Sequence, residues 1–371
     1  MSAPKVLTGL DLPWGSPGGS VELLKDLYLG PRAPLAANAF MLGTDASTSG
    51  RDAAPASCEK GLPALLDVPG KQLSGEGFWS YVDGLTHAIT TRFPPVEQDV
   101  LHLQHLAFGA TPALLRGYPK HPGIALVHGT DLLFAEEFPT QHDVLHEAAA
   151  AARAIVVPSA AMADRLRMLT PAESDRIVHI PWGVPDYLLA RPPARTASRD
   201  GDLRVLYAGR LTAEKGAAEL VAAVSGAVGV QLSMAAPADE FRRLSKVMDL
   251  STTRYLGWLS RPDLWTAFAE HDLLVIPSAR LEAFGLVAIE AQACGLPVAY
   301  QPVPGLTDVL GDSALPLDLF ADAGRTRDVL VRLTTDRSAL EHLRAAGHRN
   351  AARFPLSRTA DELAALTCQV R

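Results

Sequence analysis

Eight short apolar runs recur along the chain, each closed by a polar or glycine-bearing turn: KVLTGLD, VLHLQH, IALVHGTD, AIVVPS, IVHIPWG, RVLYAGR, LLVIPS and LPVAYQP. Their length and β-branched content suit strands buried on both faces of a parallel sheet. Helical patterns fall between them, among them SVELLKDLYL, SAAMADRLRML and AAELVAAVSGA. Alternation of strand and helix predicts an α/β doubly wound architecture. Ligands of such sheets sit beyond the carboxyl ends of the strands, so the residues just after each run are the candidates for chemistry.

The chain has 371 residues, more than one hydrophobic core of ~250–300 residues holds. The stretch VPDYLLARPPARTASRDGD is rich in Pro, Arg, Ser and Asp and reads as a linker over residues 184–202. It separates an N-terminal domain (1–183) from a C-terminal domain (203–352), followed by a helical segment at 353–371. The irregular stretch Met41 to Gly61 reads as a loop of the first domain. A formal charge of −7 gives nucleic-acid binding no support and suits a cationic small molecule better. Cys58, Cys294 and Cys368 are odd in number and far apart, which fits neither a metal site nor a disulfide framework. A cytoplasmic protein is expected, with no signal peptide in MSAPKVLTGLDLPWG and no apolar run long enough to span a membrane. The sequence carries no mark of an oligomeric state.

After the first run, Gly18 and Gly19 precede Ser20, a good helix N-cap. This is either a flexible turn with a capped helix or a place where backbone N–H groups meet an anion. It is not the G-x-G-x-x-G pattern of dinucleotide enzymes. His128 and Asp131 stand where IALV empties into the crevice, and Glu136 and Glu137 follow; these acids make either a local acidic cluster or a solvated helical turn. His102, Gln104 and His105 end another strand, and two of the three are expected to be packing or loop residues. Arg210 and Lys215 in GRLTAEKG put two cations at the mouth of a strand–helix loop, as a diphosphate requires. In LEAFGLVAIEAQACGLP, Glu282 lies in a loop and Glu290 inside a helix that begins near Leu286 and is capped by Gly295. Two acids so spaced do not share a proton. They bracket a long ligand with hydroxyls at both ends and phosphates at the helix N-terminus between, the layout of a nucleotide sugar.

GRLTAEKG with PSARLEAFGLVAIEAQACGLPVA resembles the signature of the retaining glycosyltransferases of family 4. The glycine loop, HGTD, VVPSAAMADRL and IPWGVPD extend the resemblance over most of the chain in family order. It implies the GT-B fold, two Rossmann-like domains facing a central cleft, with the final helix crossing back to the first domain. Carried over by residue, Glu282 binds hydroxyls of the donor sugar. Amides around Phe284, Gly285, Leu286 and Val287 hold sugar and phosphate. Arg210, Lys215 and the backbone at Gly18 or Gly19 neutralise the diphosphate, and Glu290 holds the ribose. The base lies near Arg254 to Leu259, and His128 is the crevice histidine near the reacting centre. The chain departs from the pattern where IPNGVD becomes IPWGVPD, placing Trp182 for an asparagine and displacing Asp186 by Pro185, and where EPFG becomes EAFG. A D-x-D match at Asp200–Asp202 belongs to a different glycosyltransferase fold and is read as chance, so no metal is expected. Retention implies a front-face displacement, with domain closure excluding water. On the acceptor side, Asp11, Trp14, His105, Asp131 and Glu137 suit a small polar, cationic polyol. The run from His102 to Phe138 also resembles actinomycete glycosyltransferases that move glucosamine-type or glucose units from UDP-sugars to 2-deoxystreptamine or its pseudodisaccharides. The alternatives are another small acceptor, such as an inositol phosphate, and a pseudo-glycosyltransferase that binds sugar nucleotides.

Overall fold

The computed structural model describes residues 4–43, 61–171, 174–196 and 201–371. Cys58, most of the 41–61 stretch and Asp200 lie outside them. The chain divides into two compact units, Met1–Trp182 with Leu356–Arg371, and Gly183–Pro355.

The first unit carries β1 (Val6–Pro13), β2 (Ala37–Leu42), β3 (Ala64–Leu66), β4 (Val100–Gln104), β5 (Gly123–Leu126), β6 (Ala154–Val157) and β7 (Ile177–His179). They form one seven-stranded sheet in the order β3-β2-β1-β4-β5-β6-β7, every neighbouring pair parallel. Parallel neighbours need crossovers, and helices supply them. On the crossover helix Gly77–Arg92, Phe78, Tyr81, Val82, Leu85 and Ile89 recur at steps of three and four and are all buried. That face packs on Leu7, Phe40, Leu101 and Leu103 of the sheet. Each such side chain contributes about 1.5–3 kcal/mol through burial.

The second unit carries β8 (Leu203–Ala208), β9 (Val230–Ala235), β10 (Arg254–Gly257), β11 (Leu273–Ile276), β12 (Val298–Tyr300) and β13 (Leu315–Pro316). These form a six-stranded parallel sheet in the order β10-β9-β8-β11-β12-β13. Leu203, Val205 and Tyr207 alternate along β8 and join the core with Leu220, Leu232, Val275 and Leu330. Both sheets are doubly wound, as the alternation predicted. Strand order reverses between β1 and β4 in one and between β8 and β11 in the other, and these two switch points are where ligands of such sheets bind.

The final helix, Leu356–Val370, lays Leu356, Thr359, Ala360, Leu363, Leu366 and Thr367 on the first unit. Thr359 Oγ1 donates to Pro181 O at 2.8 Å, and His102 Nε2–H donates to Thr367 Oγ1 at 3.0 Å. Thr367 spends its own proton on Leu363 O, so His102 Nδ1 is left to accept from Tyr28 O–H at 2.7 Å. Residues 184–196 of the expected linker fold onto the second unit. They include the helix Asp186–Ala190, a parallel bridge from Val184 to Pro355, and Arg195, which donates to Phe268 O and His271 O. Pro185 stands just before the first turn of that helix, a position where its fixed φ is favourable, so a proline-rich composition conceals order here. Among the described residues no helix is long and apolar enough to cross a membrane, and no group of three or more His, Cys, Asp or Glu is placed to hold a metal ion.

Candidate active site

In the second unit the loops after β8 and β11 meet at the switch point. The loop after β8 carries Arg210 and a short turn, Ala213–Lys215. Gly216 then adopts φ 62°, and a Cβ there would stand 1.9 Å from Pro277 O, so only glycine lets this turn touch the end of β11. Glu214 O accepts from Ala279 N–H at 2.8 Å, a second tie between the same loops. The result places Lys215 Nζ against Glu282 Oε1, the same oxygen that accepts from Ser278 Oγ at 2.7 Å. Lys215 is 38% and Glu282 17% exposed at the side chain, so both remain within reach of a ligand.

Arg210 sits at the same mouth, half exposed. Its Nε and one terminal nitrogen donate to Glu240 Oε1 at 3.0 and 2.9 Å, while Glu240 Oε2 accepts from Leu211 N–H at 2.6 Å. Tyr207 O–H donates to Arg210 O, fixing the backbone from below. The helix Leu286–Ala293 begins at Gly285, with φ 77°, and Ala288 N–H is the first to bond back, to Gly285 O. The N–H groups of Leu286 and Val287 precede that ladder. Phe284 is buried, edge-on to Phe354, so its side chain serves the core and only its backbone is offered to a ligand. Glu290 is buried: Arg261 holds Oε1 and Trp265 Nε1–H holds Oε2.

In the first unit Asp11, His105 and His128 gather at the carboxyl ends of β1, β4 and β5. Asp11 is buried, with Lys71 Nζ 3.7 Å from Oδ2 and also donating to Asp11 O. His105 has φ 56°, the only non-glycine residue with positive φ among the described residues. Its ring is buried, lies 4.5 Å from that of His128, and has no hydrogen-bond partner on either nitrogen among the described residues. Burial, then the neighbouring His128 and Lys71, hold its pKa well below the usual histidine range. His128 Nε2–H donates to Gln104 Oε1 at 2.7 Å, and burial lowers its pKa to about 3, so it is a neutral ring. Trp182 stacks on it, centroids 5.9 Å apart at 25°. Trp14 is half-buried beneath the ammonium of Lys25.

The structure departs from expectation at several of these positions. Asp131 is fully buried and accepts from the N–H groups of Leu106, His128 and Leu132, so it braces the turn and offers nothing to an acceptor. Its burial raises the carboxyl pKa to about 6 against those hydrogen bonds. Glu137 closes the helix Thr130–Glu137, ~10 Å along the helix axis from the His128 turn. Ser20 is not the cap of its helix: Gly18 is, at φ 150°, and Gly19 is the first helical residue, with no side-chain cap bond. The chain reading also passed over Tyr207, Glu240, Arg261, Trp265, Lys71 and Gly305. Gly305 has a local signal, the PG turn after a strand; Tyr207 acts three residues on, at Arg210 O, and the others act across the fold.

A family model described as glycosyl transferases group 1 matches residues 192–315. The chain is similar to D-inositol 3-phosphate glycosyltransferase 1 of Catenulispora acidiphila, 29% identical over 306 residues, 73% of this chain and 72% of that one. Among solved structures, sucrose-phosphate synthase from Thermosynechococcus elongatus matches over 98% of both chains with TM-score 0.80 and 19% identity. Anabaena HepE in complex with UDP and glucose matches over 99% of this chain and 100% of that one, with TM-score 0.74 and 18% identity. The paired doubly wound sheets are those of the GT-B fold, and with the match over residues 192–315 and the cation–carboxylate cluster at the second switch point they identify a glycosyltransferase that takes its sugar from a nucleotide-sugar donor.

Proposed function

We propose that this enzyme moves a hexose or N-acetylhexosamine, glucose or GlcNAc, from a UDP-sugar to an aminocyclitol such as 2-deoxystreptamine or its pseudodisaccharide. The observation that carries the donor side is the meeting of Lys215, Ser278 and Glu282 beyond β8 and β11. HepE, of the same fold, is in complex with UDP and glucose, which supports a uridine nucleotide. In this reading Lys215 and Arg210 face the diphosphate, joined by the first amides of Leu286–Ala293. Glu282 takes sugar hydroxyls and Glu290 the ribose. The acceptor hydroxyl attacks the anomeric carbon as its bond to the diphosphate breaks, on the same face, and the departing phosphate oxygen takes the proton. Lys215 and Arg210 stabilise the charge that grows on that oxygen, and such preorganised charge is usually the largest catalytic contribution. No metal is required, since the two cations supply the counter-charge.

For the acceptor, Asp11 with Trp14 and the neutral His105 and His128 suit a hydroxyl- and amine-bearing ring. Lys71, the cation at this cluster, is engaged by Asp11. A second reading, an inositol phosphate acceptor, is favoured by the Catenulispora relative and would use Lys71 for the phosphate. A mass-spectrometric turnover screen decides between them, with UDP-GlcNAc and UDP-glucose against 2-deoxystreptamine, pseudodisaccharides and inositol phosphates. Acceptor-dependent UDP release with a hexosamine- or hexose-sized gain on the aminocyclitol is the expected result; product on inositol phosphate alone replaces it with the second reading. Lys215→Ala should lower kcat/KM by about 10²–10³, and near-wild-type turnover would remove Lys215 from the mechanism.

A further inference from the structure

Glu290 is a buried carboxylate, 5% exposed as a residue, inside a helix whose other residues, Gln292 apart, are apolar. A buried acid costs several kcal/mol unless it is paired and hydrogen-bonded. Its partners come from one element, the helix Arg261–Glu270 that follows β10. Arg261 and Trp265 are four residues apart and therefore share a face. Arg261 places two nitrogens on a single oxygen, Nε at 3.1 Å and a terminal nitrogen at 2.6 Å from Oε1. Trp265 Nε1–H meets the other oxygen at 2.8 Å. Arg261 also lies over the Trp265 ring, 5.3 Å from its centroid, and Tyr187 packs edge-on against that ring. The carboxylate can neither rotate nor shift.

A buried ion pair of this kind adds little net stability over apolar packing, so what it secures is geometry. A carboxylate has about four lone-pair sites. Arg261 occupies both on Oε1 and Trp265 one on Oε2, which leaves one acceptor position, on Oε2. We propose that Arg261 and Trp265 are positioning residues for the donor nucleoside: they lock Glu290 so that one lone pair of Oε2 receives one ribose hydroxyl, and thereby set a preference for ribonucleotide over deoxyribonucleotide donors. This rests on the assignment of Glu290 to the ribose under the proposed function.

The test is calorimetric titration of the full-length enzyme with UDP, 2′-deoxy-UDP and 3′-deoxy-UDP. The wild type should bind one deoxy analogue about tenfold or more weakly than UDP, as the loss of a hydrogen bond to a charged group predicts. Trp265→Phe keeps the ring and removes the N–H; it should bring UDP and that analogue to within about threefold, and raise donor KM with kcat little changed. Arg261→Lys, which keeps a charge but loses the fork, should relax the same ratio. A purely packing role would lower the melting temperature and leave the ratio intact. A wild-type ratio preserved in both variants overturns the inference and leaves the Glu290 assignment standing. Equal binding of all three nucleotides by the wild type overturns that assignment as well, and absence of UDP binding overturns the donor reading beneath both.

Discussion

A methyl group on Gly305 would stand 1.6 Å from the carbonyl oxygen of Glu282, and the residue sits at φ 87°. Glu282 N–H donates to Pro304 O at 3.2 Å, so the loop after β12 presses directly on the backbone of Glu282. Gly305→Ala must move main chain that nothing else can accommodate. It should lower turnover about tenfold or more and reduce stability by about 1–3 kcal/mol, read from kcat/KM and a urea melt. Unchanged kinetics would show that the Glu282 backbone is free to adjust. Contacts of this sort explain what the sequence conceals at this scale. Lys215 and Glu282 stand out because each follows a buried strand at the expected offset. Glu240 and Trp265 do not, because the atoms they hold are 30 and 25 positions away.

At the scale of elements, legibility follows burial. The central strands β1, β4, β5, β8 and β11 read clearly as apolar runs because helices cover both of their faces. The strands left out of the eight runs are the edges β3, β10 and β13, where one side needs no partner and β10 is half exposed along its length, and the interior β2 and β9, each of which opens on two residues that are not buried. The C-terminal ends of β4 and β5 carry a prediction of their own. His102 and His128 have pKa values lowered by burial to about 4 and about 3, and His105 is also well below the ordinary 6.5. An unfolded chain takes up these protons below about pH 6.5, so the stability these rings confer is full above that value and is lost as pH falls toward 4 and 3. Asp131 runs the other way. Its folded pKa of about 6 lies above the unfolded 3.8, so its contribution is present below 3.8 and fades as pH rises through 6. Three imidazoles outweigh one carboxyl. The urea midpoint at about pH 4.5 should therefore fall below that at about pH 7; an equal or higher midpoint would mean these rings are hydrated in solution.

Across the whole molecule, the second unit owns the proposed nucleotide-binding cluster and a core independent of the first. UDP at a hundredfold excess over its Kd should add about 2.7 kcal/mol, and scanning calorimetry should show that gain in one transition, carried by the unit holding Lys215 and Glu282. An equal shift of every transition would tie the nucleotide to both units. The connectivity has a further consequence. Val184 and Pro355 pair in a bridge, so the chain enters and leaves the second unit at adjacent points, and the first unit is completed only by Leu356–Arg371. In effect the second unit is an insertion into the first. Protein synthesis proceeds from the N-terminus, so the usual rule that the leading domain folds first is inverted here. The inserted module can close on the ribosome, while the leading one must wait, with His102 lacking its threonine, until the last helix has emerged.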